Sequence, residues 1–174
     1  MIILRKIAPS ARYPVDGASK YPEGETAPEK LREPCEIGWC ELIDIPGLGV
    51  RNLHAKVDTG AATSSLHATH IKPFEKDGQP YVRFTIPMGA GTADYHCEAL
   101  VYGQRRIKSS NGVMQTRYVI ETVMKLGPLE WVGHMTLANR QSMIFPVLIG
   151  RRALKRGFLV NSAKRWMLGR HQER

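Results

Sequence analysis

No apolar run in this sequence approaches the roughly 20 residues that a helix needs to cross a bilayer. The opening Met1-Ile2-Ile3-Leu4 is followed at once by Arg5 and Lys6, too short for the apolar region of a secretory signal. Cysteine is scarce as well. The three present, an odd number, give no disulfide framework and suit a reducing compartment, so a cytoplasmic location is expected. Several chemical signatures are missing. There is no His-Glu-x-x-His, and His54, His67, His70, His96, His134 and His171 show no structural-zinc spacing with Cys35, Cys40 and Cys97. His67 and His70 could share a helix face, where a surface pair is the expected reading; Cys35 and Cys40 read as free, partly buried thiols. No Gly-x4-Gly-Lys-Ser/Thr occurs, and Met88-Gly89-Ala90-Gly91 reads as a turn, not a phosphate cradle. No metal and no cofactor is expected, and no internal repeat is visible.

Negative charge is also in deficit. Sixteen Asp and Glu stand against 25 Lys and Arg, a formal charge of +9, which favours acidic partners such as nucleic acid, a ribosome surface or a carboxylate-rich peptide. Charge alone does not choose among these, and a solvated basic surface is the plain alternative. Aspartate is restricted to Asp16, Asp44, Asp58, Asp77 and Asp94, with none after Asp94.

What is present begins with an irregular stretch. Residues 1–34 include Pro9, Pro14, Pro22, Pro28 and Pro34 among Glu, Lys and Ser with almost no apolar periodicity, and read as a leader. Residues 35–170 read as one all-β domain, since short apolar runs alternate with Gly, Pro, Asn and Asp. The expected strands are Ile37–Ile45, Val50–Val57, Tyr81–Ile86, His96–Tyr102, Arg105–Lys108, Arg117–Leu126, Leu129–Leu137 and Ile144–Ile149. Turns are marked by Pro46-Gly47-Leu48-Gly49, Lys76-Asp77-Gly78, Ser110-Asn111-Gly112 and Leu126-Gly127-Pro128. A short helix is expected over Arg151–Arg156, then strands at Phe158–Val160 and near Arg165–Leu168.

The chemistry concentrates at Asp58-Thr59-Gly60-Ala61, which closes an apolar strand. A loop just past a strand end exposes a carboxylate on a fixed backbone, and Gly60 permits close approach. By itself the triplet also fits an Asp-capped turn. About ninety residues later comes Phe145-Pro146-Val147-Leu148-Ile149-Gly150-Arg151-Arg152-Ala153-Leu154. Together, an apolar-Asp-Thr-Gly-Ala loop and a Leu-Ile-Gly-Arg-x-x-Leu segment resemble retropepsins, in which the second segment passes behind the catalytic loop and enters a short helix. Arg105-Arg106-Ile107-Lys108-Ser109-Ser110-Asn111-Gly112 followed by Arg117-Tyr118-Val119-Ile120 looks like that family's hairpin flap. The resemblance runs from about Ile37 to Leu168 and implies a retropepsin-like half-barrel closed by homodimerisation, with one short C-terminal helix. It makes Asp58 the catalytic carboxylate, supported by Thr59, Gly60 and Ala61.

Two departures stand out. Viral retropepsins usually carry Asp four residues after the catalytic one, paired with the Arg of Gly-Arg; here that position is Ala62, so Arg151 lacks the expected partner. The stretch Ile71–Leu100 is longer than in a minimal viral enzyme and implies an additional hairpin. Both fit better a bacterial retropepsin-like group once labelled ATP-dependent zinc proteases. A basic, signal-less member is similar to its RimB type, which acts beside a RimK-type ligase that adds glutamates to the C-terminus of a small-subunit ribosomal protein.

An aspartic dyad needs two carboxylates about 3 Å apart sharing one proton, because two such charges cannot both ionise. With no Asp beyond Asp94, a second Asp-Thr-Gly lobe is excluded, and a two-fold dimer pairing Asp58 with its symmetry mate is what remains. The expected activity is peptide-bond hydrolysis under flaps whose tips include Lys108, Ser109 and Ser110. The expected substrate is an acidic peptide, with Arg106, Lys108, Arg117, Arg140 and Arg151 as candidates to receive its carboxylates; the resemblance implies trimming of glutamate tails on a ribosomal protein. The alternative is a catalytically silent basic module on the same fold that binds the ribosome or RNA through Arg151-Arg152, Lys155-Arg156 and Lys164-Arg165, although stacking aromatics are not interleaved there.

Overall fold

The computed structural model describes residues 30–89, 91–108, 112, 114–139 and 144–169. Alternation of apolar and polar side chains sets most of its strands. In β3 (Val50–Val57), Val50, Leu53, Ala55 and Val57 are buried while Arg51, Asn52, His54 and Lys56 face water. The alternation slips once, at Asn52, whose φ is 56° and whose N–H donates to Asp44 Oδ1 at 2.8 Å. The same irregularity breaks the register of β2 (Cys40–Ile45) against β3 between Ile43 and Ile45.

Six strands close into a barrel. The ring runs β2, β3, β10 (Val147–Ile149), β4 (Ser64–His67), β9 (Leu129–Ala138) and β8 (Met114–Leu126), and pairing of Asp44 with Lys125 joins β8 back to β2. Inside lie Ile43, Leu53, Leu66, Ile120, Met124, Leu126, Leu129, Met135 and Ile149, each almost wholly removed from water. Beyond β8 the sheet continues antiparallel through β7 (Tyr95–Lys108), β6 (Gln79–Ile86) and β5 (Thr69–Lys76). Outside the ring, β1 (Cys35–Gly38) pairs in parallel with β11 (Phe158–Asn161), which follows the one-turn helix α1 (Arg151–Leu154).

This is the expected all-β architecture with one short helix, with corrections in detail. The run Ile37–Ile45 is two strands broken at Trp39, since β1 leaves the barrel to meet β11. The pieces His96–Tyr102 and Arg105–Lys108 are one strand with a bulge between Val101 and Gly103. The extra hairpin is β5–β6, turned by Asp77 and Gly78 at φ 52° and 69°. Strand β4 had no forecast. The helix stops at Leu154, two residues early, and Arg165–Leu168 is no strand: the chain turns there, with Trp166 at φ 56°. His67 and His70 share no helix face; they lie on β4 and β5, and His67 is buried. The turn at Ser110-Asn111 lies outside the described residues, as do 1–29 of the leader. Of the leader's end, Leu31 donates its N–H to Arg156 O at 2.8 Å and packs on the core. Among the described residues no helix is long and apolar enough to cross a membrane.

Candidate active site

Strand β3 delivers Asp58 to the surface. Val57, still buried, donates its N–H to Trp39 O at 2.9 Å, and the next N–H, that of Asp58, goes to Ile149 O at 2.9 Å. The chain then wraps around its own carboxylate. Oδ1 of Asp58 accepts the N–H groups of Gly60 at 2.9 Å and Ala61 at 3.1 Å, which fixes the carboxylate's direction. A side chain at Gly60 would start 3.2 Å from that oxygen, so glycine keeps the loop this tight. Asp58 is half-buried, while Thr59 and Gly60 are exposed.

Behind the loop runs the segment from β10 into α1. Val147, Leu148 and Ile149 pair in parallel with Ala55, Lys56 and Val57. The chain then threads past 61–64: Arg151 N–H donates to Ala61 O at 2.9 Å, Arg152 N–H to Ala62 O at 3.1 Å, and Gly150 N–H to Ser64 Oγ at 3.2 Å. A Cβ at Gly150 would lie 2.7 Å from the carbonyl carbon of Thr63, so only glycine fits the crossing. Arg151 does have partners here. Its Nη1 donates to the carbonyls of Thr59 at 3.0 Å and Gly60 at 2.7 Å, so the guanidinium clamps the loop backbone without the carboxylate that Ala62 fails to supply.

The β7–β8 hairpin stands free of the barrel at its far end. The last β8–β9 pair is Val119 with Thr136, so residues 114–118 pair with β7 alone. One ladder joins the root of this arm to the site: Val119 pairs with Thr136, Thr136 with Ser65, Ser65 with Leu148, and Leu148 with Lys56. Lys108 pairs with Met114 at the arm's end, and Ser109 and Ser110 lie outside the described residues, as does Arg140. Register also separates two candidates. Arg106 pairs with Thr116, on the face that continues the barrel interior through Tyr118 and Ile120; Arg117 pairs with Arg105, on the opposite face. Thus Asp58, Thr59, Gly60, Ala61 and Arg151 come together, and Arg106 and Arg117 are divided.

Two supports went unseen in the sequence. Ser64 caps the Gly150 crossing, and Glu41, fully buried, accepts the N–H groups of Gly38 at 2.7 Å, Met167 at 2.9 Å and Leu168 at 3.2 Å, tying the C-terminal segment beneath the Trp39 crossing. Among the described residues, no group of three or more His, Cys, Asp or Glu could hold a metal.

A family model described as retropepsin-like aspartic endopeptidase RimB matches residues 36–171. The chain belongs to the RimB-like family. A solved Legionella pneumophila protein of unknown function is 32% identical and superposes with a TM-score of 0.67, over 77% of this chain and 98% of that one. Two curated relatives, each named probable alpha-L-glutamate ligase, come from Shewanella halifaxensis (40% identical over 137 residues) and Shewanella pealeana (41% over 133). They cover 78% and 75% of this RimB-like chain, which spans only 29% and 28% of their own lengths.

Proposed function

We propose that this RimB-like protein is an aspartic endopeptidase that works as a homodimer, pairing Asp58 of each protomer into one dyad. The observation that carries the reading is the Asp58 loop itself: a carboxylate oriented by two N–H groups, on a backbone clamped by Arg151. No other described Asp is available for a dyad. The others stand elsewhere in the fold: Asp44 is beside Asn52, six residues back along β3, Asp94 is beside Met88 between β6 and β7, and Asp77 forms the β5–β6 turn. A second copy is then the source of the second carboxylate.

In the dyad one carboxyl is ionised and the other protonated. The ionised one takes a proton from water as its oxygen bonds to the peptide carbonyl carbon, and the protonated one gives its proton to the carbonyl oxygen. Collapse of the resulting gem-diol breaks the C–N bond, and a proton passes to the leaving nitrogen. The β7–β8 arm acts as the flap. Its five residues beyond the barrel extend about 17 Å, comparable with the roughly 19 Å of four inter-strand steps along the ladder to Lys56.

The substrate is an acidic tail, most simply the oligo-glutamate extension of a small-subunit ribosomal protein in the cytoplasm, with a RimK-type ligase as the opposing activity. The charge of +9 and Arg106 on the arm support this, as do relatives named for glutamate ligation. Because the chain spans 29% of such a relative, a ligase name for the whole need not describe the matched part. The test is to incubate the protein with a peptide bearing a C-terminal glutamate tail and with its untailed counterpart. Loss of the tail, abolished by Asp58→Asn in a protein that still folds, is expected; tail removal by the Asn variant would sink the assignment. Exposed Arg152, Lys155, Lys164 and Arg165 favour a second reading, a silent ribosome- or RNA-binding module, which predicts binding without product and indifference to Asp58→Asn.

A further inference from the structure

The arm carries a second charge cluster on the face opposite Arg106, formed by Arg117 and its ladder partner Arg105. Arg105 lies directly opposite Arg117 in the ladder, so both side chains stand on the face that runs through Gly103 and Val119. Opposed residues of an antiparallel pair have Cβ atoms about 4.5–5.5 Å apart, and like charges at that spacing repel. Both arginines are half-buried, which weakens solvent screening of the repulsion. Neither has an acidic partner among the described residues. Arg117 Nη2 donates to Gln115 Oε1 at 3.1 Å, while its Nε is buried and unpartnered. The next acid along that face of β8, Glu121, is engaged by His134 at 3.2 Å.

Two arginines opposed in the ladder, with a buried donor left over on Arg117, match the needs of one carboxylate, which can accept from both and cancel their repulsion. We propose that Arg105 and Arg117 form an anion site on the arm that takes a side-chain carboxylate of an acidic peptide, separate from the Asp58 loop. A peptide suits the face better than a nucleic acid. The nearby aromatic, Tyr102, is already stacked on His134 at 3.8 Å, so among the described residues of this face no free ring offers itself to a base.

The site is tested by binding, in the Asp58→Asn chain so that nothing is cleaved. A fluorescein-labelled hexaglutamate peptide is titrated and its anisotropy read, with hexaglutamine as the uncharged control. Replacing both arginines (Arg105→Gln with Arg117→Gln) is expected to weaken binding about ten- to hundredfold, the value of a lost charge-assisted contact. Unchanged affinity overturns the site. Equal competition by a uridine hexanucleotide overturns the peptide assignment in favour of nucleic acid. With the repulsion gone, the double variant should melt no lower than its parent without peptide. If it does not fold, Arg105→Lys with Arg117→Lys keeps the charge but loses the planar fork, and unweakened binding there equally overturns the proposal. Because the measurement is made without Asp58, failure of the peptidase reading would leave this result standing.

Discussion

Arg151 holds Gly60: its Nη1 donates to the Gly60 carbonyl at 2.7 Å while also reaching the Thr59 carbonyl at 3.0 Å. The arginine behind an Asp-Thr-Gly loop thus acts through backbone, and the loop's shape depends on it. Arg151→Met keeps the stem and removes the donors. Activity should fall at least about tenfold, with a stability loss of about 1–3 kcal/mol, read by turnover and denaturant titration. Lysine should rescue only in part, because a single ammonium lacks the planar fork.

Glu41 is the second such support. Its Oε1 accepts from Gly38 and Met167, and its Oε2 from Leu168. In Glu41→Gln the amide can present one oxygen to two of these donors, but its NH2 must then face the third. The cost should be about 1–3 kcal/mol, with faster amide exchange at Met167 and Leu168 than in β8 and β9. Exchange spread evenly over the barrel would show that Glu41 does not act through the C-terminal segment.

Why the sequence concealed these residues is physical. In Cys40-Glu41-Leu42-Ile43 a glutamate between apolar residues reads as facing water, yet β1 and the C-terminal turn cover it. Strand β4 is buried at every position, but two of the four are serine and one is histidine, so no apolar pattern marks it. Strand β5 was hidden by Pro73, which a sheet edge tolerates. The barrel strands β3, β8 and β9, each alternating over part of its length, were legible almost to their ends, and so was the Asp58 loop with its crossing Gly150. Facing of Arg105 and Arg106 was not, because it depends on the bulge at Tyr102.

Gly150 sets a sharp limit on the crossing behind the site. Alanine there would place Cβ 2.7 Å from backbone of Thr63, which cannot swing aside like a side chain. Gly150→Ala should cost about 1–3 kcal/mol or more through overpacking, and circular dichroism melting should show it. Gly103→Ala, with open space around the new methyl, serves as the control.

The cysteines should be quiet. Burial pushes the Cys97 thiol up to about 11 from 9.0, and burial followed by the charge of Glu41 raises Cys35. A raised thiol pKa means that the folded state keeps a proton the unfolded state has lost. The contribution of Cys97 is therefore intact below pH 9.0 and is lost as pH rises toward about 11. Denaturant midpoints should fall across that window, and Cys97→Ser should flatten the fall. Alkylation of Cys97 at neutral pH should require unfolding.

Subunit mixing tests whether one Asp58 from each of two chains makes the site. Wild-type and Asp58→Asn chains are equilibrated at fixed total concentration, and removal of a glutamate tail is measured as the wild-type fraction is varied. Asn Oδ1 can still accept from Gly60 and Ala61, so the variant should exchange into dimers without distorting the loop. Activity proportional to the square of the wild-type fraction, about one quarter in an equal mixture, is expected, because a mixed dimer holds one carboxylate. A linear dependence, about one half in the same mixture, would contradict the shared site and place all the chemistry within a single chain.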